Sequence, residues 1–194
     1  QSSSVLFVAD GQQACLLAFN RQFNRPGSFV LAHILQSDDS LSPAHQALLE
    51  HWVTEIVSAT GLRGLCSLDC LIAPSGRLYL LEINPRISAS AELLANANVF
   101  QWHIDACNGQ LPTISSPPPP EPRLLSYIFA EADYRISKNA QWPACCHDLP
   151  AAGSVIDKDM PICTSILSGE SIEACFKYQK TVKSSVLQNC YSPA

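Results

Sequence analysis

Charge is scarce in this chain. Asp, Glu, Lys and Arg make up 15% of 194 residues, and the formal net charge is -5. No long basic run is present, which argues against electrostatic binding to nucleic acid or to an anionic membrane. No apolar stretch approaches the roughly eighteen residues that a membrane helix needs. The opening residues, QSSSVLFVAD, lack the charged start of a signal peptide. No internal repeat is apparent. The nine cysteines are odd in number and scattered from Cys15 to Cys190, so they make no compact disulfide framework of even count. They read as mostly buried, reduced thiols of a cytoplasmic protein.

What is present suits a globular protein. Apolar residues are 47% of the chain, and the length allows one large domain or two small ones with a true core. Ser4 to Ala9 reads as a strand, Asp10-Gly11 as a hairpin turn and Gln13 to Asn20 as its partner. Phe29 to Leu35 reads as a third strand. Ser42 is placed to cap a helix, Pro43 suits its first turn and Gly61 ends it; Leu48, Leu49, Trp52, Val53, Ile56 and Val57 form its apolar face. Residues 65–72 and 78–84 read as a second hairpin around Pro74-Ser75-Gly76. A helical stretch over Ala89 to Asn108 follows, and then SSPPPPEP, a stiff polyproline segment that marks a boundary or a surface strap. Beyond it, Leu124 to Ala130, Ser154 to Ile156 and Ile162 to Leu167 read as short strands, and Ser171 to Asn189 as a final helix. The fold class is α+β, an antiparallel sheet with packed helices. Its parts are residues 1–114, a proline-rich linker or strap at 115–122 and a small α+β tail at 123–194.

The second hairpin, LDCLIAPSGRLYLLEINPR, carries acids among strand-forming residues. With a two-residue loop at Ser75-Gly76, Asp69 faces Glu82 directly. Ser67, Asp69 and Leu71 then share a face with Leu80, Glu82 and Asn84. The opposite face is apolar: Leu68, Cys70, Ile72, Tyr79, Leu81 and Ile83. Like charges directly opposed on a ladder are destabilising. A shared proton, a basic neighbour such as Arg86, or a divalent cation would each compensate. Two carboxylates, an amide oxygen and a guanidinium suit a magnesium nucleotide site, because magnesium takes oxygen ligands and keeps waters and phosphates as the rest. A solvated surface pair, with Arg86 or Arg77 as partner, fits the spacing equally well.

Glu82-Ile83-Asn84-Pro85-Arg86, the Asp-bearing strand and the tight turn before it resemble the ATP-grasp superfamily, which includes D-alanine ligases, biotin carboxylase and the carbamoyl phosphate synthase large chain. SSSVLFVADGQQACLLAFNRQF looks like the paired strands that precede this motif in the family. SASAELL and HIDACNGQLP look like the helical continuation in the carbamoyl-phosphate-synthase-like branch. The resemblance covers about residues 1 to 113. It implies a carboxy-terminal ATP-grasp subdomain in which Asp69 binds one magnesium, Glu82 bridges two and Asn84 completes the second, while Arg86 steadies the transferred phosphate or the acyl phosphate. The implied activity is ATP-dependent ligation of a small-molecule carboxylate to an amine through an acyl phosphate. ATP and Mg2+ are the implied cofactors, with Mn2+ as a substitute; neither nucleic acid nor membrane is expected as a partner, and an oligomer is compatible. The family's earlier subdomain, with its lysine and adenine-holding hinge, does not appear before Gln1. The expectation is therefore a carboxy-terminal part of a longer protein, inactive alone, the alternative being a non-catalytic interaction or regulatory module. The tail segment WPACCHDLPAAGSVIDKDMPICTSILSG resembles ligases of tetrahydromethanopterin and methanofuran one-carbon pathways, which implies an acid such as glutamate and an amine such as tyramine.

Other polar residues are weaker candidates. Cys145-Cys146-His147-Asp148 lacks a second ligand pair and reads as a loop rather than a zinc site. His103 reads as a buried, hydrogen-bonded histidine. Ser88, Ser90 and Glu92 either touch substrate or start a helix. Asn20 and Gln22 either line the same cleft or serve a turn.

Overall fold

A computed structural model describes residues 1–37, 41–94, 98–113 and 121–191. Most of the expected proline segment, 115–120, lies outside the described residues, as do residues 95–97 of the expected helical stretch. The chain forms two compact units, Gln1–Gln22 with Leu35–Pro120 and Phe23–Ile34 with Glu121–Ala194. Residues 23–34 thus fall with the tail rather than with the first part of the chain.

The chain begins with β1 (Ser2–Asp10), β2 (Ala14–Asn24) and β3 (Leu31–Gln36). Asp10 Oδ1 accepts the backbone N–H groups of Gln12 and Gln13 at 2.8 and 2.7 Å, which closes the β1–β2 turn and holds that carboxyl below its ordinary range. Phe29, expected in β3, lies outside it in the loop and is fully exposed. Helix α1 (Pro43–Thr60) has the expected punctuation. Ser42 accepts the N–H of His45, and Gly61 ends the helix at φ 69°, the left-handed conformation that glycine adopts without strain. Leu49, Val53 and Val57 are buried; Leu48, expected on that face, is exposed.

In the first unit the strand order is β5-β4-β1-β2, with β4 (Arg63–Ile72) and β5 (Leu78–Asn84) antiparallel to their neighbours. Alternation gives the sheet two unlike faces. Val5, Phe7, Ala9, Cys66, Leu68 and Cys70 pack against α1. Leu6, Val8 and Leu65 point the other way and meet Ala91, Leu94 and Ala106. These come from a 3-10 turn (Ala89–Leu94) and from helix α2 (Val99–Cys107), two elements where one helical stretch is expected. Along this second face the strands turn polar. Ser4 and Ser2 follow Leu6, Ser67 and Asp69 follow Leu65, and Asn20 and Gln22 follow Ala18.

The β4–β5 loop differs from expectation. The N–H of Ala73 donates to Arg77 O and that of Gly76 to Ala73 O, both at 2.9 Å, so the loop holds three residues, Pro74 to Gly76, with Gly76 at φ 82°. Ile72 therefore pairs with Leu78, Leu71 with Tyr79 and Cys70 with Leu80. A bulge at Leu81 then adds one residue to β5 and restores the pairing of Asp69 with Glu82. Near the turn the facing sets are consequently shifted. Leu78 is the buried member of this edge strand, whereas Tyr79 and Leu81, expected on the apolar face, are exposed.

The second unit contains residues 31–34 of β3 together with β6 (Arg123–Phe129), β10 (Pro161–Ser168) and β8 (Cys146–His147), in the strand order β6-β10-β8. A separate three-stranded sheet has the order β11-β7-β9, from Cys190–Tyr191, Tyr134–Ile136 and Val155–Ile156. Helix α3 (Ile172–Leu187) is capped by Ser171, which accepts the N–H of Ala174 at 3.1 Å. Its Val186 joins Ile128, Ile136, Ile162 and Cys163 in the core. Arg25 pairs with Asp159 and lies over the Phe129 ring. Among the described residues no helix is long and apolar enough to cross a membrane.

Candidate cation and phosphate site

Asp69 on β4 and Glu82 on β5 are direct cross-strand partners, and Asn84, opposite Ser67, projects from the same face. Asn84 Nδ2 donates to Asp69 Oδ2 at 3.1 Å and to Glu82 Oε1 at 3.0 Å. An ionised carboxylate only accepts, so this geometry requires the NH2 edge of the amide to face the acids. Asn84 Oδ1 faces Arg86 instead, accepting from Nη2 at a long 3.4 Å. Arg86 is exposed, and its Nη1 donates to Ile87 O at 3.4 Å.

The other oxygen of Asp69 is also held. Oδ1 accepts from Gln22 Nε2 at 3.1 Å, and Gln22 Oε1 accepts from Ser2 Oγ at 2.7 Å. Register places Asn20, Ser4, Asp69 and Glu82 in one row across four strands. Asn20 is fully buried, and neither of its amide atoms has a protein hydrogen-bond partner. Burial pushes the Asp69 carboxyl above its ordinary value, the Gln22 hydrogen bond pulls it down, and the neighbouring Glu82 pushes it up again. The net direction is upward, the signature of a half-buried acid beside a second negative charge.

Magnesium is the cation that the donor set suits. The site offers carboxylate and amide oxygens and no thiol or imidazole, and its opposed acids leave negative charge for a cation to neutralise. The amide needs half a turn to present Oδ1 rather than Nδ2 to that charge. Among the described residues no three His, Cys, Asp or Glu side chains gather as a metal site, so any cation here rests on two carboxylates, the amide and ligands from solvent or substrate.

Asp69, Glu82, Asn84 and Arg86 thus come together as one hydrogen-bonded chain. Ser88 and Ser90 bond to each other at 2.8 Å, and Ser90 is buried. His103 is half-buried, its Nδ1 accepting the N–H of Leu65 at 3.0 Å, consistent with a packing role. Cys146 lies in the core of the second unit, where burial pushes its thiol up to about 11. Ser2 is not among the residues the sequence points to, and Gln22 reads from the sequence only as a turn or cleft residue. Their signal was present in the alternation that turns Ser2, Ser4, Asn20 and Gln22 toward one face.

Residues 1–90 match the ATP-grasp domain family. No curated protein matches the chain. Among solved structures, the biotin carboxylase domain dimer of Hydrogenobacter thermophilus 2-oxoglutarate carboxylase, in complex with MgADP, ADP and bicarbonate, superposes with a TM-score of 0.76 at 14% identity. That match covers 98% of this chain and 45% of the other. L-amino acid ligase from Bacillus licheniformis gives 0.74 at 14% identity, covering 98% and 51%. A biotin carboxylase–β,γ-ATP complex from Campylobacter jejuni gives 0.74 at 14%, covering 98% and 45%. At such identities the likeness is one of fold, and the chain spans about half the length of each of these structures.

Proposed function

We propose that this chain is the carboxy-terminal part of an ATP-grasp enzyme that joins a carboxylate to an amine with ATP and magnesium. One observation carries the reading: Asp69 and Glu82 face each other, bridged by Asn84, within the residues that match the ATP-grasp domain. Asp69 and Glu82 would hold the cation, with Asn84 as a third ligand once its amide oxygen faces them. A bound magnesium would supply neutralisation of phosphate oxygens, the main electrostatic demand of phosphoryl transfer. Arg86 is exposed and only weakly held, so its guanidinium is free to take a phosphate oxygen. In the proposed reaction a carboxylate oxygen of the substrate takes the γ-phosphoryl group, ADP leaves, and an amine nitrogen displaces phosphate from the acyl phosphate. None of these residues need act as a nucleophile; positioning and charge are their work. The resemblance of the tail makes glutamate and tyramine the first substrate pair to try, in a cytoplasmic one-carbon setting.

A second reading also has an observation behind it. The NH2 of Asn84 donates to both acids, so the chain's own side chains supply them with a hydrogen-bond partner, as a non-catalytic module would require. Calorimetry of magnesium-dependent ATP binding separates the two, run on the full gene product and on its Glu82→Gln variant. The ligase reading expects binding that falls at least about ten-fold in the variant, and little ATP hydrolysis by residues 1–194 alone. Equal binding by both proteins would remove Glu82 from the site and leave the module reading standing.

A further inference from the structure

We infer that Gln22 is a positioning residue for the cation site, acting through Asp69 and itself oriented by Ser2. The inference rests on the proposed cation site and assigns a residue outside the acidic hairpin to it.

Asp69 is on β4 and Gln22 on β2, with β1 between them. Two strand spacings separate their backbones by about 10 Å, which short side chains cannot bridge. Gln22 bridges it because the β1 side chains that lie between the two on that face are Ser2 and Ser4, and a long amide can cross over two small side chains. The resulting relay is directional. Ser2 Oγ–H donates to Gln22 Oε1 at 2.7 Å, which leaves Nε2 to donate to Asp69 Oδ1 at 3.1 Å. Because Asn84 takes the other oxygen, both oxygens of Asp69 are fixed by amide donors from different strands. Asn84 lies beside the pair and has its own proposed ligand role; Gln22 approaches from the opposite side and, of the two acids, bonds to Asp69. Asp69 is half-buried, and a carboxylate that must face a cation there gains from a donor that fixes its plane before the cation arrives.

The test is Mn2+ affinity of the 194-residue chain, read by electron paramagnetic resonance, for wild type, Gln22→Met, Ser2→Ala and the double variant. Methionine keeps the length of the side chain and removes its donor. Gln22→Met is expected to weaken Mn2+ binding about ten-fold, the usual scale for outer-shell partners of a metal ligand. Ser2→Ala is expected to weaken it less, and the double variant to match Gln22→Met alone, because Ser2 acts only through Gln22. A role confined to sheet stability would shift melting temperature without this non-additive pattern in affinity. Wild-type affinity in Gln22→Met, or additive losses in the double variant, would overturn the inference while the cation site stands. If Gln22→Met does not fold, unchanged Mn2+ affinity in Ser2→Ala overturns it. A wild-type chain that binds no Mn2+ at millimolar concentration removes the cation reading itself, and the relay with it.

Discussion

Replacing Glu82 by glutamine is expected to make the cation-free chain more stable. Asp69 Oδ2 and Glu82 Oε1 each lie about 3 Å from one amide nitrogen, so the two charges are no more than about 6 Å apart. At about 5 Å, two unit charges repel by roughly 0.8 kcal/mol in a water-like dielectric and by about 3 kcal/mol at an effective dielectric of 20. Glu82 is exposed, which favours the low end, about 1 kcal/mol. Glutamine keeps an oxygen for Asn84 Nδ2 and removes the charge, so the melting temperature in EDTA should rise by about 2–4 °C for a chain of this size. Magnesium should reverse the order. A site with a dissociation constant near 1 mM gains about 1.4 kcal/mol at 10 mM cation, and Glu82→Gln should gain little of it.

The sign with pH follows from the same pair. Asp69 holds its proton above its ordinary 3.8, first because of burial and then because of Glu82. The folded chain therefore binds that proton more tightly than the unfolded chain, a contribution that is full below pH 3.8 and lost as pH rises through the folded value. Cation-free wild type should lose stability relative to Glu82→Gln across that window. Differential scanning fluorimetry with EDTA and with magnesium reads all three effects. A variant that melts no higher than wild type in EDTA, or that gains the same shift from magnesium, would refute the electrostatic reasoning.

Arg86→Met should leave the stability within about 0.5 kcal/mol of wild type, since its two hydrogen bonds are long and exposed; nucleotide binding by the full-length protein should weaken, and calorimetry checks both. Gly64→Ala should cost about 2–4 kcal/mol by chemical denaturation. Gly64 has φ +80°, and an added Cβ would lie 2.7 Å from the His103 ring, which is anchored by the Leu65 N–H. His103→Ala should recover the part of that loss due to the ring, but neither the backbone part nor the contact with Cys107 Sγ, which would lie 2.9 Å from the added Cβ. Ser42→Ala should cost about 1 kcal/mol through the α1 cap, measured in the same way.

Local chemistry explains what the sequence made legible. Ser42, Pro43 and Gly61 mark α1 within a single stretch of chain, and each acts where the sequence places it. The hairpin is more instructive. A two-residue loop predicts Asp69 opposite Glu82, yet the loop has three residues and the pairing survives only because Leu81 bulges out. Both departures are one residue long and opposite in effect, so the acids meet while the residues nearest the turn do not meet as expected. Pro74-Ser75-Gly76 is compatible with either loop length, and no residue type at Leu81 announces a bulge. The pairing of β4 with β1, more than fifty residues apart in sequence, shares the ladder that such a bulge must fit. Gln22 stayed ambiguous for a related reason: its partner Asp69 lies 47 residues away, and only the order β4-β1-β2 brings the two together.

The placement of the proposed cation site follows from which side chains β1 can spare. On one face every β1 residue from Val5 to Ala9 is committed to α1, and on the other Leu6 and Val8 are committed to α2 and the turn before it. Ser2 and Ser4 are the positions of the second face left outside that apolar packing, and both are small. A bulky apolar residue at either position would extend the core toward Asp69, block the crossing of Gln22 and strand a desolvated carboxylate, at a cost of several kcal/mol. Serine keeps the sheet continuous while leaving room above it. The polar end of this face is therefore best understood as a place where the packing rule of the strand is suspended, a pattern expected where a site, rather than stability, sets the choice of residue.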